Sequence, residues 1–439
     1  MRAMKRHHPL SRRHWLGCCA GLAAGLFTGL DHAAAAPATP TAHEPLAWPS
    51  LSEGWRNPCL EAGGATSSAL QALVDDALDG LDATRLWDTH AHLLGVGDGG
   101  TGCSVHPAMS QWWHPADVVR RQTLLNASCV PPGAPSVDAA YVARLDALVA
   151  AFPRGARWLL FAFDQAHDDA GRPRADQTTF HVPDAYARDI AARDPARYGW
   201  VASIHPYAPD AVPRLHAAIA DGALAVKWLP SAMNIDPGDP RCRPMFDVLR
   251  AHRVPLVVHC GEERAVPGAS RDDLGNPLRV RPALEQGVRV IVAHCASLGQ
   301  AQDTDRRSGP TVPAFDLFAR LMGERAHQDL LLGDVSAVFQ ANRPLAVGAR
   351  LMREEGWHHR LLHGSDYPLP GVMPLFAPAR WVDAGWLPAH QLAPMRELRR
   401  HNALLFDLCA KRLLRASGAR LGDAVFDTAR HFGGYSPVA

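Results

Sequence analysis

Eight short β-rich runs alternate along the chain with stretches of helical spacing, and this alternation restricts the fold more than any other feature. The runs lie at 85–89, 157–163, 199–204, 223–228, 255–259, 288–293, 330–335 and 360–363. Segments such as Val254-Pro255-Leu256-Val257-Val258 and Val288-Arg289-Val290-Ile291-Val292-Ala293 are almost continuously apolar. Strands covered on both faces need that pattern, whereas half-exposed antiparallel strands alternate apolar with polar residues. Between the runs, the spacing predicts helices over 184–194, 211–221, 245–252, 281–286, 313–323 and 345–355. Gly222 and Gly287 follow helix ends, and Pro183, Pro244 and Pro282 stand near helix starts, where each residue type suits the backbone. Eight strand–helix units predict an α/β fold of the (β/α)8 TIM-barrel kind.

The boundaries follow from composition. Arg2, Lys5, Arg6 and Arg12-Arg13 precede a small, apolar run from Leu16 to Leu30, and Ser11-Arg12-Arg13-His14-Trp15-Leu16 resembles a twin-arginine export signal. This predicts a signal peptide over 1–36, a Pro/Ala/Thr-rich linker over 37–50, the barrel over 51–415 and a C-terminal extension over 416–439, in a protein exported to the periplasm. A helix over 67–81 forms an N-terminal extension, and 388–414 is a helical tail. The crossover from 93 to 156 is too long for a simple strand–helix unit and predicts an insertion, linked to the first strand, over the barrel mouth. No run reaches the roughly 18 apolar residues of a membrane span, so no membrane contact is expected after signal cleavage.

Charge narrows the partners. With 45 Lys+Arg against 44 Asp+Glu there is no electrostatic footprint for nucleic acid, which favours a small-molecule substrate; a homo-oligomer stays open. Of the nine cysteines, Cys18 and Cys19 lie in the signal, and an oxidising compartment permits a disulfide among Cys59, Cys103 and Cys129. Cys260 and Cys295 each follow a strand-end histidine and read as buried small residues.

The chemistry lies at the strand ends. The first strand closes on Trp87-Asp88-Thr89-His90-Ala91-His92, the fifth on Val258-His259-Cys260, the sixth on Ala293-His294-Cys295 and the eighth on His363-Gly364-Ser365-Asp366-Tyr367-Pro368. Alternate residues of a strand share a face, so His90 and His92 can reach one ion. Any one of these signals is weak in a chain with 23 histidines; their order on separate strands, at the barrel face where catalytic groups gather, is not.

Together with the tail Arg400-His401-Asn402-Ala403-Leu404-Leu405-Phe406, these motifs resemble the amidohydrolase superfamily, specifically the amidohydrolase-2 branch that includes aminocarboxymuconate-semialdehyde decarboxylase relatives. The resemblance covers about 85–413. It implies that His90, His92 and His259 coordinate a divalent metal, zinc by expectation, as one or two ions. It further implies that Asp366 ligates or approaches the ion and shuttles a proton, and that His294 orients the water or polarises the substrate. Lys227, ending the fourth strand, is either a carbamylated bridge between two metals or an unmodified ammonium facing the substrate. The implied function is hydrolysis of an amide, ester or lactone bond by metal-activated water, with non-oxidative decarboxylation of a carboxylated small molecule as the alternative. His106, His114, His167, His181 and His205 are candidate substrate contacts, and Trp112-Trp113 a candidate lid.

Overall fold

The computed structural model describes residues 54–64 and 66–432, so the signal and linker expectations lie outside the described residues. Eight parallel strands form the core: β1 (Trp87–His92), β2 (Arg157–Phe161), β3 (Tyr198–Val201), β4 (Val226–Trp228), β5 (Leu256–His259), β6 (Val290–Ala293), β7 (Leu331–Asp334) and β8 (Leu361–Leu362). Each corresponds to one of the eight β-rich runs. Pairing runs in chain order from β1 to β3 and from β4 to β8. A parallel bridge between Ala202 and Val226 joins the two groups, and another between Ala91 and Tyr367 closes the last strand on the first. The barrel is therefore complete, and it has no free sheet edge to protect.

Side chains facing the barrel axis alternate along each strand. Leu159, Phe161, Val201, Ala225, Val257, Ile291, Leu332 and Leu362 form one buried apolar cluster inside the barrel. Two positions further along three strands, Ala225 gives way to Lys227, Val257 to His259 and Leu332 to Asp334. An apolar layer thus underlies a polar one, as expected when a packed barrel interior carries its site at the C-terminal ends of the strands.

The C-terminal segment differs from the expected appended extension. Ala429 and Phe432 belong to the interior cluster, and the Phe432 ring stacks 6.0 Å from that of Trp87. Thr428 Oγ1 accepts from the Trp87 N–H and donates to its carbonyl, both at 2.7 Å. The segment plugs the lower end of the barrel, so the folded unit reaches at least Phe432 rather than stopping at 415.

The insertion between β1 and β2 carries two helices, Pro115–Ala127 and Val137–Val149. The turn after the first of them is tied to the N-terminal segment by a Cys59–Cys129 disulfide with a Cα–Cα distance of 5.4 Å, while Cys103 stays free and buried. Trp112 and Trp113 are 82% and 58% exposed and make no part of the cavity wall, so they do not serve as its lid; Leu124 of the first insertion helix does line it.

Two outcomes test this packing. Phe432→Ala removes a buried ring from the plug and is expected to destabilise the protein by about 3–5 kcal/mol, read as a fall in melting temperature. Non-reducing peptide mapping is expected to recover Cys59 joined to Cys129; because the bridge closes a 70-residue separation, Cys59→Ser should cost about 2–4 kcal/mol.

Candidate metal and active site

The β1 strand changes phase before it reaches the mouth. Trp87 faces the interior, so regular alternation would send Thr89 and Ala91 inward and the histidines outward. A register shift between Asp88 and Ala91 reverses this and turns His90 and His92 into the barrel. The turn is held by Asp88, whose Oδ1 accepts from the N–H groups of His90 at 3.1 Å and Ser365 at 2.8 Å. Burial pushes the Asp88 carboxyl up to about 6.

Strand β6 needs a second reversal. With Ile291 inward, alternation would place Cys295 in the site and His294 behind it. Instead His294, Cys295 and Ala296 all take positive φ, at 55°, 51° and 51°. His294 consequently faces the cavity, and Cys295 is buried with its thiol donating to the Asp334 carbonyl at 3.1 Å.

At the mouth, His90 Nε2 lies 3.3 Å from His92 Nε2 and 3.5 Å from Asp366 Oδ1, and His92 Nε2 lies 3.3 Å from the same oxygen. Ligands bonded at about 2.1 Å to a tetrahedral ion stand about 3.4 Å apart, so this triangle fits a Zn²⁺-sized cation. Burial, followed by the charges of Lys227 and His92, pushes His90 well below the usual histidine range, leaving a neutral ring able to offer a lone pair.

Asp334, which the sequence reading did not single out, sets the tautomers. Its Oδ2 accepts from His90 Nδ1 at 2.9 Å, committing that nitrogen's proton and leaving Nε2 bare. Its Oδ1 accepts from the backbone N–H groups of His294 at 2.9 Å and Ser336 at 3.1 Å, and from the Ser336 hydroxyl. With that hydroxyl proton spent, Ser336 Oγ accepts from His294 Nδ1 at 2.7 Å, so His294 presents a bare Nε2, 4.0 Å from Asp366 Oδ2. His90, His294 and Asp334 thus form a second tight group beside that of His90, His92 and Asp366.

His259, expected as a third histidine ligand, lies in the same cavity. It belongs to no group of three donor atoms within 4.8 Å of one another among the described residues. Its Nδ1 lies 3.3 Å from Glu263 Oε2, in the loop that follows β5. Its Nε2 is buried without a hydrogen-bond partner, which is costly unless something outside the chain binds it. Glu263, also absent from the sequence reading, is pushed up to about 7 by burial.

Lys227 is buried with Nζ 3.5 Å from His90 Nε2, and burial pushes its ammonium down from the usual lysine range. His106, His114, His167, His181 and His205 do not line the cavity; His167 and His205 stack on each other at 4.1 Å instead. Cys260 and Cys295 are buried free thiols pushed up by burial, as read from the sequence.

A family model described as amidohydrolase matches residues 87–403. Among solved structures, the chain is similar to an uncharacterized TIM-barrel protein from Bordetella bronchiseptica, with 15% identity, TM-score 0.44 and coverage of 74% of this chain and 99% of that one. It is also similar to 5-carboxyvanillate decarboxylase from Sphingomonas paucimobilis, with 14% identity, TM-score 0.39 and coverage of 73% and 96%. A third is 4-oxalomesaconate hydratase from Rhodopseudomonas palustris, with 14% identity, TM-score 0.38 and coverage of 73% and 97%. No curated protein matches the sequence.

The tautomer argument gives a direct test. Asp334→Ala is expected to weaken zinc binding about 10- to 100-fold in a chelator competition, with the circular dichroism spectrum retained. Unchanged affinity would refute the role assigned to Asp334.

Proposed function

The chain belongs to the amidohydrolase family, in its amidohydrolase-2 branch, and from that premise we propose that it is a metal-dependent hydrolase that uses activated water to cleave an amide, ester or lactone bond of a small molecule. The observation that carries the reading is the triangle of His90 Nε2, His92 Nε2 and Asp366 Oδ1, with sides of 3.3 to 3.5 Å, in a buried cavity. His90, His92 and Asp366 would hold the ion, with His259 as a further donor through its unbonded Nε2. We assign zinc because an imidazole-rich donor set suits it. When bound, such an ion lowers the pKa of water to about 7 and polarises a carbonyl oxygen.

The chain's own groups do the rest. Asp366 Oδ2 takes the proton of the attacking water and returns it to the leaving group, as a carboxylate beside the reacting centre can. His294, fixed through Ser336, offers its bare Nε2 to that water and orients it. Lys227 is assigned the unmodified role, its desolvated ammonium facing the developing oxyanion. The apolar cavity wall, which includes Phe163, Phe180 and Leu229, excludes bulk water and strengthens each of these interactions. Export by the twin-arginine route to the periplasm is proposed from the sequence of 1–36, and is tested by the cell fraction that holds the processed protein.

Metal analysis of the purified protein is expected to return one divalent ion per chain. Asp366→Asn should lower kcat on a lactone or aryl ester by about 100- to 10,000-fold, and His90→Ala should abolish turnover together with metal binding. Release of carbon dioxide from a carboxylated substrate, without acyl cleavage anywhere in the panel, would replace hydrolysis by decarboxylation. An intact mass raised by one carbon dioxide on Lys227 would replace its ammonium role by a bridging one.

A further inference from the structure

The cavity wall is made of two kinds of surface. Polar groups beside the donor triangle include His259, His294 and Lys227, and the loop between β7 and the helix Leu345–Arg353 adds Gln340, Asn342 and Arg343. Another part is apolar. Leu124 and Phe180, with Met109 behind them, form a small buried cluster of their own, separate from the barrel interior, and Leu94, Val266 and Leu369 pack against it. All of these except Met109 border the cavity. None lies on a barrel strand, so the barrel supplies the donors and the connecting segments supply this apolar wall.

The wall is tied together before any ligand arrives. Phe180 sits in a short antiparallel ribbon, with Val105 opposite Phe180 and Ser104 opposite His181. That ribbon is pinned to the end of β2, where the Phe163 N–H and the Val182 carbonyl, and the Val182 N–H and the Phe163 carbonyl, pair at 2.8 Å. Thr179 joins it to the loop carrying Val266, its Oγ1 accepting from the Gly268 N–H at 3.0 Å. The loop carrying Leu369 presses on the insertion helix that carries Leu124: a Cβ at Gly371 would stand 2.1 Å from the Ala127 carbonyl oxygen. An apolar surface fixed in this way needs no reordering to receive a ligand. Water beside it finds few hydrogen-bond partners, so an apolar group that displaces such water gains affinity. With its open mouth the cavity measures about 880 Å³, which leaves room for a chain or ring beyond the reacting bond.

We propose that this wall is an alkyl-binding subsite, with Leu124 and Phe180 as its specificity-determining residues, so that the enzyme selects substrates carrying an uncharged hydrocarbon chain or ring beside the scissile bond. The inference rests on the cavity being the substrate site proposed above, and it names the class of molecule that enters.

Binding of the linear alcohols from 1-butanol to 1-octanol to the zinc-loaded full chain tests the assignment without calling on turnover, because these probes carry no scissile bond. Affinity is expected to rise about three- to fourfold per methylene until the subsite is full. Leu124→Phe, which narrows the subsite, should move the plateau to a shorter alcohol, and Phe180→Ala should weaken 1-octanol about 10-fold while changing 1-butanol less than twofold. Trp112→Ala, outside the cavity, should leave the series unchanged. A flat series in the wild type would overturn the proposal, and decides the matter even if a variant fails to fold. A rising series left intact by both Leu124→Phe and Phe180→Ala would place the chain elsewhere and overturn it as well. With 4-nitrophenyl esters from acetate to octanoate, kcat/KM is expected to follow the same chain-length dependence. Failure of the zinc-loaded protein to cleave any ester, lactone or amide, with the alcohol series and its response to the variants intact, would instead defeat the proposed function and leave the subsite standing.

Discussion

The site depends on one seam, where the last barrel strand pairs with the first. His90 and Asp366 are separated by most of the chain, yet the Asp366 N–H donates to the His90 carbonyl at 2.7 Å and the His92 N–H to the Tyr367 carbonyl at 3.0 Å. Thr89 adds a third rung to the His363 carbonyl at 3.1 Å. Gly364 is required where the strands pass, since a Cβ there would stand 2.7 Å from His90 Cβ. Beneath the seam, Lys411 of the buried helix Ala403–Leu413 donates to the Gly364 carbonyl and to Asp407. The tail helix is thus a brace for the loop that carries Asp366, and the Asn402 side chain that starts it accepts from the N–H groups of Leu404 and Leu405. Closure of the barrel and assembly of the donor triangle are one event.

Within that frame Asp334 sorts protons rather than binding substrate. Two backbone N–H groups and a hydroxyl saturate one of its oxygens, and the other takes the His90 proton. Both imidazoles are therefore turned with their bare nitrogens outward before any ligand arrives. This preorganisation matters because a ring free to choose its tautomer would spend part of the binding energy on that choice. The apolar layer below, including Phe161, whose ring lies 4.7 Å from that of His90, keeps water from competing for the same nitrogens.

Much of this was legible in the sequence. Strands such as β5 and β6 announced themselves because burial on both faces leaves a nearly unbroken apolar run, and His90, His92, His294 and Asp366 stood out as polar residues at or just beyond the strand ends. Asp334 carried the same signal, a lone carboxylate two positions beyond the interior Leu332, and was passed over because the run continues into Val335. Glu263 and Arg343 gave no comparable signal, since they sit in loops whose path depends on tertiary contacts. The phase reversals at His90 and His294 were also invisible, because alternation alone would have pointed those side chains away from the barrel. The plug formed by Thr428 and Phe432 was misread for a related reason: a short irregular segment has no periodicity to betray what it packs against.

The reversals show where this fold accepts local cost. Three successive non-glycine residues at positive φ in the stretch from His294 to Ala296 carry an expense of about 1–3 kcal/mol each by the usual reckoning for such backbone. No gain in apolar burial explains it, because a regular continuation of β6 would have placed the small, apolar Cys295 inward and spared His294 its desolvation. Buried Lys227 and Arg343 add two basic groups to the same low-dielectric space, whose desolvation the carboxylates of Asp334, Asp366 and Glu263 offset only in part. Neutral rings, a bent strand and two buried cations all face one cavity. Three successive strained residues beside the donor cluster and an unpartnered ring nitrogen on His259 are what a site completed from outside the chain requires.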